Sequence, residues 1–216
     1  MWSFNKEERI ERRIQKKIKR LLKHGMDKEV KDFLKFQEKS DSLDKKMFWD
    51  LNSSRWEKEV PKKIRNLIKS KLKVLKGKNL SLGSGSHPYV GSSVLVDFSS
   101  EMLKKAKGKK KIVLNLDQGK LPFNKNAFDS VTMVFIVDYL KNLPNLFKEV
   151  KRVLKKNGKL IIVNTKNPNK DFYRKYQVKH YNAKELKKLL KEFDAKIEEF
   201  KVEKHILVFI EGKVYK

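Results

Sequence analysis

The sequence predicts a doubly wound α/β fold, with a mostly parallel seven-stranded sheet over 61–216 and a basic helical extension over 1–60. Three observations carry that prediction. Short apolar runs alternate with helix-patterned stretches from Asn79 onward, the signature of a parallel sheet with crossover helices. The first run breaks at Gly83-Ser84-Gly85, and the second closes on a carboxylate, Asp97. An apolar strand, a glycine turn and an acid-tipped strand open a nucleotide-type site in an open sheet. The tail 196–215 alternates in the manner of an antiparallel pair.

The extension comes first in the chain. Ile10, Ile14, Ile18 and Leu21 recur at helical spacing over 5–23, behind Arg12, Arg13, Lys16, Lys17, Lys19 and Arg20. Gly25 is a stop, and Asp27 caps a second helix with Val30, Phe33 and Leu34 on one face. These helices read either as a packed pair with a wet basic face or as an arm that grips RNA. Residues 45–56 hold Phe48, Trp49 and Trp56, aromatics too bulky to be left in water without a reason. They pack the extension onto the main domain or wall a ligand pocket.

Pro61 suits the first turn of a helix over 61–76. Ile64, Leu67, Ile68, Leu72 and Leu75 give it a buried stripe. Lys62, Lys63, Arg65, Lys69, Lys71, Lys73 and Lys76 cover the rest, with no acid in the segment, so this helix is the best candidate for a polyanion contact. Gly77 ends it. Strands are expected at 79–82, 94–96, 112–116 (ending at Asp117), 128–137 and 159–163. Helices are expected at 100–107, 146–154 (closed by Asn157-Gly158) and 184–193, and a lysine-rich loop at 104–111.

Composition bounds the function. The absence of cysteine excludes disulfides, thiolate metal sites and cysteine nucleophiles. The four histidines, His24, His87, His180 and His205, have none of the short spacings of a zinc site, so no metal is expected. No long apolar run and no leader-like N-terminus is present, and a cytoplasmic location is expected. The net charge of +28 favours polyanions. It equally fits a lysine-rich, heat-adapted composition.

Five segments in order carry a family resemblance: LSLGSGS (80–86), VLVDFSSEMLKKAK (94–107), LDQGKLPF (116–123), FDSVTMVFIVDYL (128–140) and EVKRVLKKNGKLIIV (149–163). From about Phe48 onward the chain resembles a class I S-adenosylmethionine-dependent methyltransferase of the type-11 kind, with a Rossmann-like sheet. The resemblance implies that Gly83, Ser84 and Gly85 bring backbone to the methionine part of S-adenosylmethionine. It implies that Asp97 accepts from both ribose hydroxyls, that Phe98 lies against the adenine, and that Asp117 and the Gln118 backbone N–H meet the adenine edge. Val134 and Phe135 would face cofactor and acceptor. By themselves, Asp97 also reads as a helix cap and Asp117 as a turn residue.

Two positions depart from the family pattern. Ser81 stands where an acid is usual, and His87 where a third glycine is usual. The short segment to Asp97, with Pro88 inside it, leaves no room for the usual helix, so a loop is expected over 86–92. His87, Tyr89, Asp138 and Tyr139 are the candidates on the acceptor side, where a base is needed if the nucleophile arrives protonated. Without cysteine, pyrimidine carbon cannot be methylated through a thiolate adduct. The fourth strand also lacks the Asn/Asp-Pro-Pro-aromatic loop used on exocyclic base amines. Three readings follow: a methyltransferase acting on RNA or a ribosomal component, one acting on a small metabolite, and a non-catalytic module that binds cofactor or RNA.

Overall fold

The computed structural model describes residues 14, 16, 18, 20, 21, 23–26, 45–53, 59–108, 110–166 and 176–215. Expectations on Ile10, Arg12, Arg13, Lys17, Lys19, Asp27, Val30, Phe33, Leu34 and Trp56 lie outside the described residues. The chain divides into two compact units, Met1–Asn52 and Ser53–Lys216, where the sequence suggested a division at 60/61. In the first unit the described residues between 14 and 23 are helical, and α1 spans Lys45–Asn52. Ile14, Ile18, Phe48 and Trp49 are buried, and the rings of Phe48 and Trp49 meet edge to face at 5.3 Å.

In the second unit the order is α2 (Lys62–Leu72), β1 (Asn79–Leu82), β2 (Val94–Asp97), α3 (Ser100–Lys105), β3 (Lys110–Val113), β4 (Phe128–Val134), α4 (Leu143–Val153), β5 (Leu154–Thr165), α5 (Ala183–Leu189), β6 (Asp194–Val202) and β7 (His205–Lys213). The strands form one seven-stranded sheet in the order β3-β2-β1-β4-β5-β7-β6. The first five strands in that order run parallel, and β7 is antiparallel to both β5 and β6. The doubly wound expectation holds, tail pair included.

Alternation along β5 explains the two layers. Leu160 and Ile162 face the core shared with Leu146, Phe147 and Val150 of α4 and Leu186 of α5. Ile161 and Val163 point the other way, onto Ile64, Ile68 and Leu72 of α2. Side chains with a period of two thus bury both faces of one strand, which a continuous apolar run requires.

Several boundaries differ from expectation, each for a local reason. β3 begins at Lys110 and ends at Val113, because it is an edge strand that tolerates exposed lysines on its rim. The helix before it therefore stops at Lys105 and the lysine-rich loop is shorter. β4 stops at Val134, where Phe135 turns the chain with φ +55, and a single 3-10 turn over Val137–Tyr139 replaces the last strand residues. α4 starts earlier, at Leu143, since Asn142 Oδ1 accepts from Asn145 N and Pro144 sits in the first turn. Asn157-Gly158 does not close that helix. It lies in an irregular stretch of β5, with Asn157 at φ +60 donating to Val214 O. Pro61 is the N-cap of α2 and not its first helical residue. Nor are that helix's lysines all without acids: Lys63 pairs with Glu203 and Lys71 with Glu198.

The connection from β1 to β2 has no helix, as the short spacing predicted. The strand face it leaves is polar and buried: Asn79, Ser81, Ser93, Ser130 and Thr132. Ser93 Oγ and Thr132 Oγ1 donate to Asn79 Oδ1, and Asn79 Nδ2 donates to Ser130 Oγ. Mutual hydrogen bonding is what allows these groups to be buried.

The segment 121–123 that leads into β4 is clamped by α4. Glu149 accepts from Leu121 N at 2.8 Å and from Arg152, whose guanidinium donates to the carbonyls of Leu121 and Phe123. The Arg152 hydrogen bonds come first among the causes that hold the Glu149 carboxyl below its usual range. A depressed carboxylate stabilises fully above its unfolded pKa and loses that contribution as pH falls through the folded value. Glu149→Gln is therefore expected to cost about 1–2 kcal/mol near neutral pH in urea unfolding. The difference from the parent should shrink toward zero in acid.

Candidate functional site

The C-terminal ends of β1, β2, β4 and β5 meet at one rim of the sheet. β1 ends in the glycine turn, where Gly83 and Gly85 have φ of +62 and +57. Gly83 is closely covered: a Cβ there would stand 2.4 Å from Ile136 Cγ1, the residue that follows β4 and Phe135. Ser84 N donates to Val96 O at 3.0 Å, tying the turn to β2. The Ser86 hydroxyl oxygen is buried and has no hydrogen-bond partner among the described residues.

Asp97 ends β2, as expected, and is buried at 7% exposure. Its Oδ2 accepts from Gly85 N and its Oδ1 from Ser99 N, both at 2.9 Å. The helix-cap alternative is corrected: Ser99 is the N-cap of α3, its hydroxyl accepting from Met102 N. Asp97 instead locks the glycine turn to the tip of β2. A carboxylate oxygen can accept more than one hydrogen bond.

Asp117 does not end a strand. It sits in a 3-10 turn, Leu116–Gln118, capped by the Asn115 side chain, which accepts from Asp117 N. The rim is nonetheless shared. Leu114 N donates to Asp97 O, so the chain leaving β3 runs along the tip of β2. Asp117 Oδ1 accepts from Lys141 N at 2.7 Å, joining that turn to the loop after β4. Phe98 is half-buried and Gln118 exposed. Val134, Phe135, Tyr89 and Val90 are half-buried, and each packs against the buried cluster on the α2 side of the sheet. Phe135 holds a left-handed φ without being glycine, a strained conformation of the kind that concentrates at functional sites. The imidazole of His87 stands edge-on to Tyr89 at 5.6 Å.

Asp138 and Tyr139 part ways. Tyr139 is buried, and desolvation raises its hydroxyl well above the usual range, with a hydrogen bond to Gln177 opposing. It stays a phenol and does not serve as a base at neutral pH. Asp138, at 3% exposure, is a hub. Its Oδ1 accepts from Asn164 Nδ2 (3.0 Å) and Tyr181 N (3.1 Å), its Oδ2 meets His180 Nδ1 (2.7 Å), and its carbonyl accepts from Val178 N and Lys179 N.

Sequence reasoning missed Ile136, Asn164 and His180. Asn164 carried a usable signal, since it stands at the end of the fifth parallel strand, where open sheets place ligands. His180 carried none, because its partner lies 42 residues away.

Residues 78–162 match the methyltransferase-domain family. The chain is 32% identical over 179 residues to the ubiquinone/menaquinone biosynthesis C-methyltransferase UbiE of Rickettsia felis, covering 74% of this chain and 71% of that protein. It is 38% identical over 89 residues to the demethylmenaquinone methyltransferase of Staphylococcus saprophyticus, covering 37% and 36%. Among solved structures, a SAM-dependent methyltransferase from Aquifex aeolicus superposes with a TM-score of 0.57 at 19% identity, covering 75% of this chain and 98% of that one. Haemonchus contortus phosphoethanolamine N-methyltransferase 2, in complex with S-adenosyl-L-methionine, gives 0.58 at 15%, covering 72% and 53%. The structural likenesses bear on the fold alone.

Proposed function

The chain belongs to the class I S-adenosylmethionine-dependent methyltransferases, and from that premise we propose that its acceptor is a small molecule with an apolar ring and a protonated nucleophile, of the hydroquinone or phenol class. The enzyme class and the cofactor are those of the family. The observation that carries the acceptor reading is the character of the rim at the tip of β4, where Tyr89, Val90, Val134 and Phe135 offer half-buried apolar and aromatic surface. A flat apolar ring fits such a wall better than a phosphate backbone does. The names of the two bacterial relatives, both tied to quinone biosynthesis, point the same way.

The RNA reading has less support at this rim. Its best surface is the lysine-bearing face of α2. Two of its lysines are already paired with Glu198 and Glu203.

The residues present fit the cofactor. The buried Ser86 hydroxyl has no partner among the described residues, and the turn at Gly83–Gly85 admits a ligand against backbone. In this reading Asp97 takes the two ribose hydroxyls and Phe98 stacks on the adenine. Asp117 and Gln118 N meet the adenine edge, and the turn 83–86 cradles the methionine part. Val134 and Phe135 exclude water beside the acceptor. S-adenosylmethionine supplies an electrophilic methyl carbon on a sulfonium, so the protein's share is position and dryness.

The test is a label partition. Protein is incubated with methyl-labelled S-adenosylmethionine, a panel of hydroquinones and phenols, and in parallel with bulk RNA at two salt concentrations. Label is expected in the organic extract. Label in RNA, falling steeply with salt, would replace this reading with the polyanion one.

A further inference from the structure

We propose that His180, oriented by Asp138, is the base that takes the acceptor's proton. The inference rests on the acceptor reading above and adds the residue that serves it. Three observations place the pair at the reaction rim. Asp138 lies two residues beyond Ile136, whose side chain covers Gly83. Asn164, near the end of β5, donates to the same carboxylate. His180 Nδ1 stands 2.7 Å from Asp138 Oδ2, with the Asp138 side chain 4% exposed and the His180 ring 31% exposed. The acid is thus inside and the imidazole opens outward.

The hydrogen bonding sets the tautomer. Asp138 accepts from Asn164 and Tyr181 N on one oxygen, which leaves the other for His180. With Nδ1–H donating to that oxygen, the imidazole lone pair is on Nε2, on the far side of the ring. Held by the carboxylate, the ring keeps one orientation, with Nε2 as its acceptor atom. In the step, the acceptor O–H bond breaks and its electron pair stays on oxygen. An N–H bond forms at Nε2, and the charge gained by the ring faces Asp138. Asp138 is a positioning residue, and His180 the catalytic one.

Charged and titratable groups around the ring among the described residues are Asp138 from the 3-10 turn after β4, Lys179 and Tyr181 beside it, and Glu185 of α5. Lys179 is paired with Glu185 at 2.7 Å, so the Asp138 carboxylate is the acid aimed at the ring.

The test uses the full-length protein. His180→Gln is expected to lower kcat toward a phenolic acceptor about 10²–10³-fold, with affinity for S-adenosylhomocysteine held within about twofold. The parent's rate should fall on the acid side with one proton, and the variant should lose that limb. Added imidazole should restore part of the rate to His180→Gly. An unchanged rate, or an acid limb retained in His180→Gln, overturns the proposal. Nitrogen-15 NMR of the free protein reads the geometry without any acceptor: the Nδ1–H tautomer is expected, and the Nε2–H tautomer overturns it. Failure of the parent to methylate any phenol sinks the acceptor reading itself, a result distinct from an active parent with an indifferent variant.

Discussion

Asp97→Ala is expected to remove measurable cofactor binding while leaving a folded, weakened protein. Two charge-assisted hydrogen bonds to a ribose diol are worth about 1.5–3 kcal/mol each, so their joint loss predicts a drop in affinity of about 10²–10⁴-fold. The same carboxylate holds Gly85 N and Ser99 N in a buried setting. Both donors lose their acceptor in the variant, at a cost to stability of about 1–3 kcal/mol each. Calorimetric titration with S-adenosylhomocysteine, run below the melting temperature found by circular dichroism, separates the two effects. Affinity equal to the parent's would show that Asp97 serves only to tie the turn to β2.

Gly83→Ala is expected to be the most damaging change of a single methyl group in the sheet domain. At φ +62 an alanine is strained by about 1–2 kcal/mol. Its Cβ would also lie 2.4 Å from Ile136 Cγ1, and overpacking of this kind costs about 1–3 kcal/mol more. Together the two predict a loss of about 2–5 kcal/mol in urea unfolding, with the glycine turn displaced. Ile136→Ala in the same chain should return the packing part and leave the backbone part. A double variant no more stable than Gly83→Ala alone would mean that backbone strain carries the whole effect.

The parts legible in the sequence were those set by local chemistry. The apolar run at 159–163, inside β5, could be read from residues alone. So could the glycine turn, the acid closing β2 and the missing helix between them, since no helix fits between Gly83 and Asp97 with Pro88 inside. What was misread depended on partners distant in sequence. Lys110 and Lys111 suggested a loop, but β3 is an edge strand whose outer side faces water. Asp117 looked like a strand tip, yet Asn115 draws its N–H into a 3-10 turn. Asn157-Gly158 looked like a helix stop because its partners, Val214 N and O, arrive from just past the last strand. Asp138 was legible by position, whereas the histidine beside it came from beyond β5 and could not be paired by spacing.

The most direct measurement is a crystal structure of the protein with S-adenosylhomocysteine. Both ribose hydroxyls are expected to donate to the Asp97 carboxylate at about 2.7 Å, with the adenine between Phe98 and the Asp117 turn and the amino acid end over Gly83–Ser86. A nucleoside seated elsewhere, with no ribose hydroxyl on Asp97, would contradict that assignment.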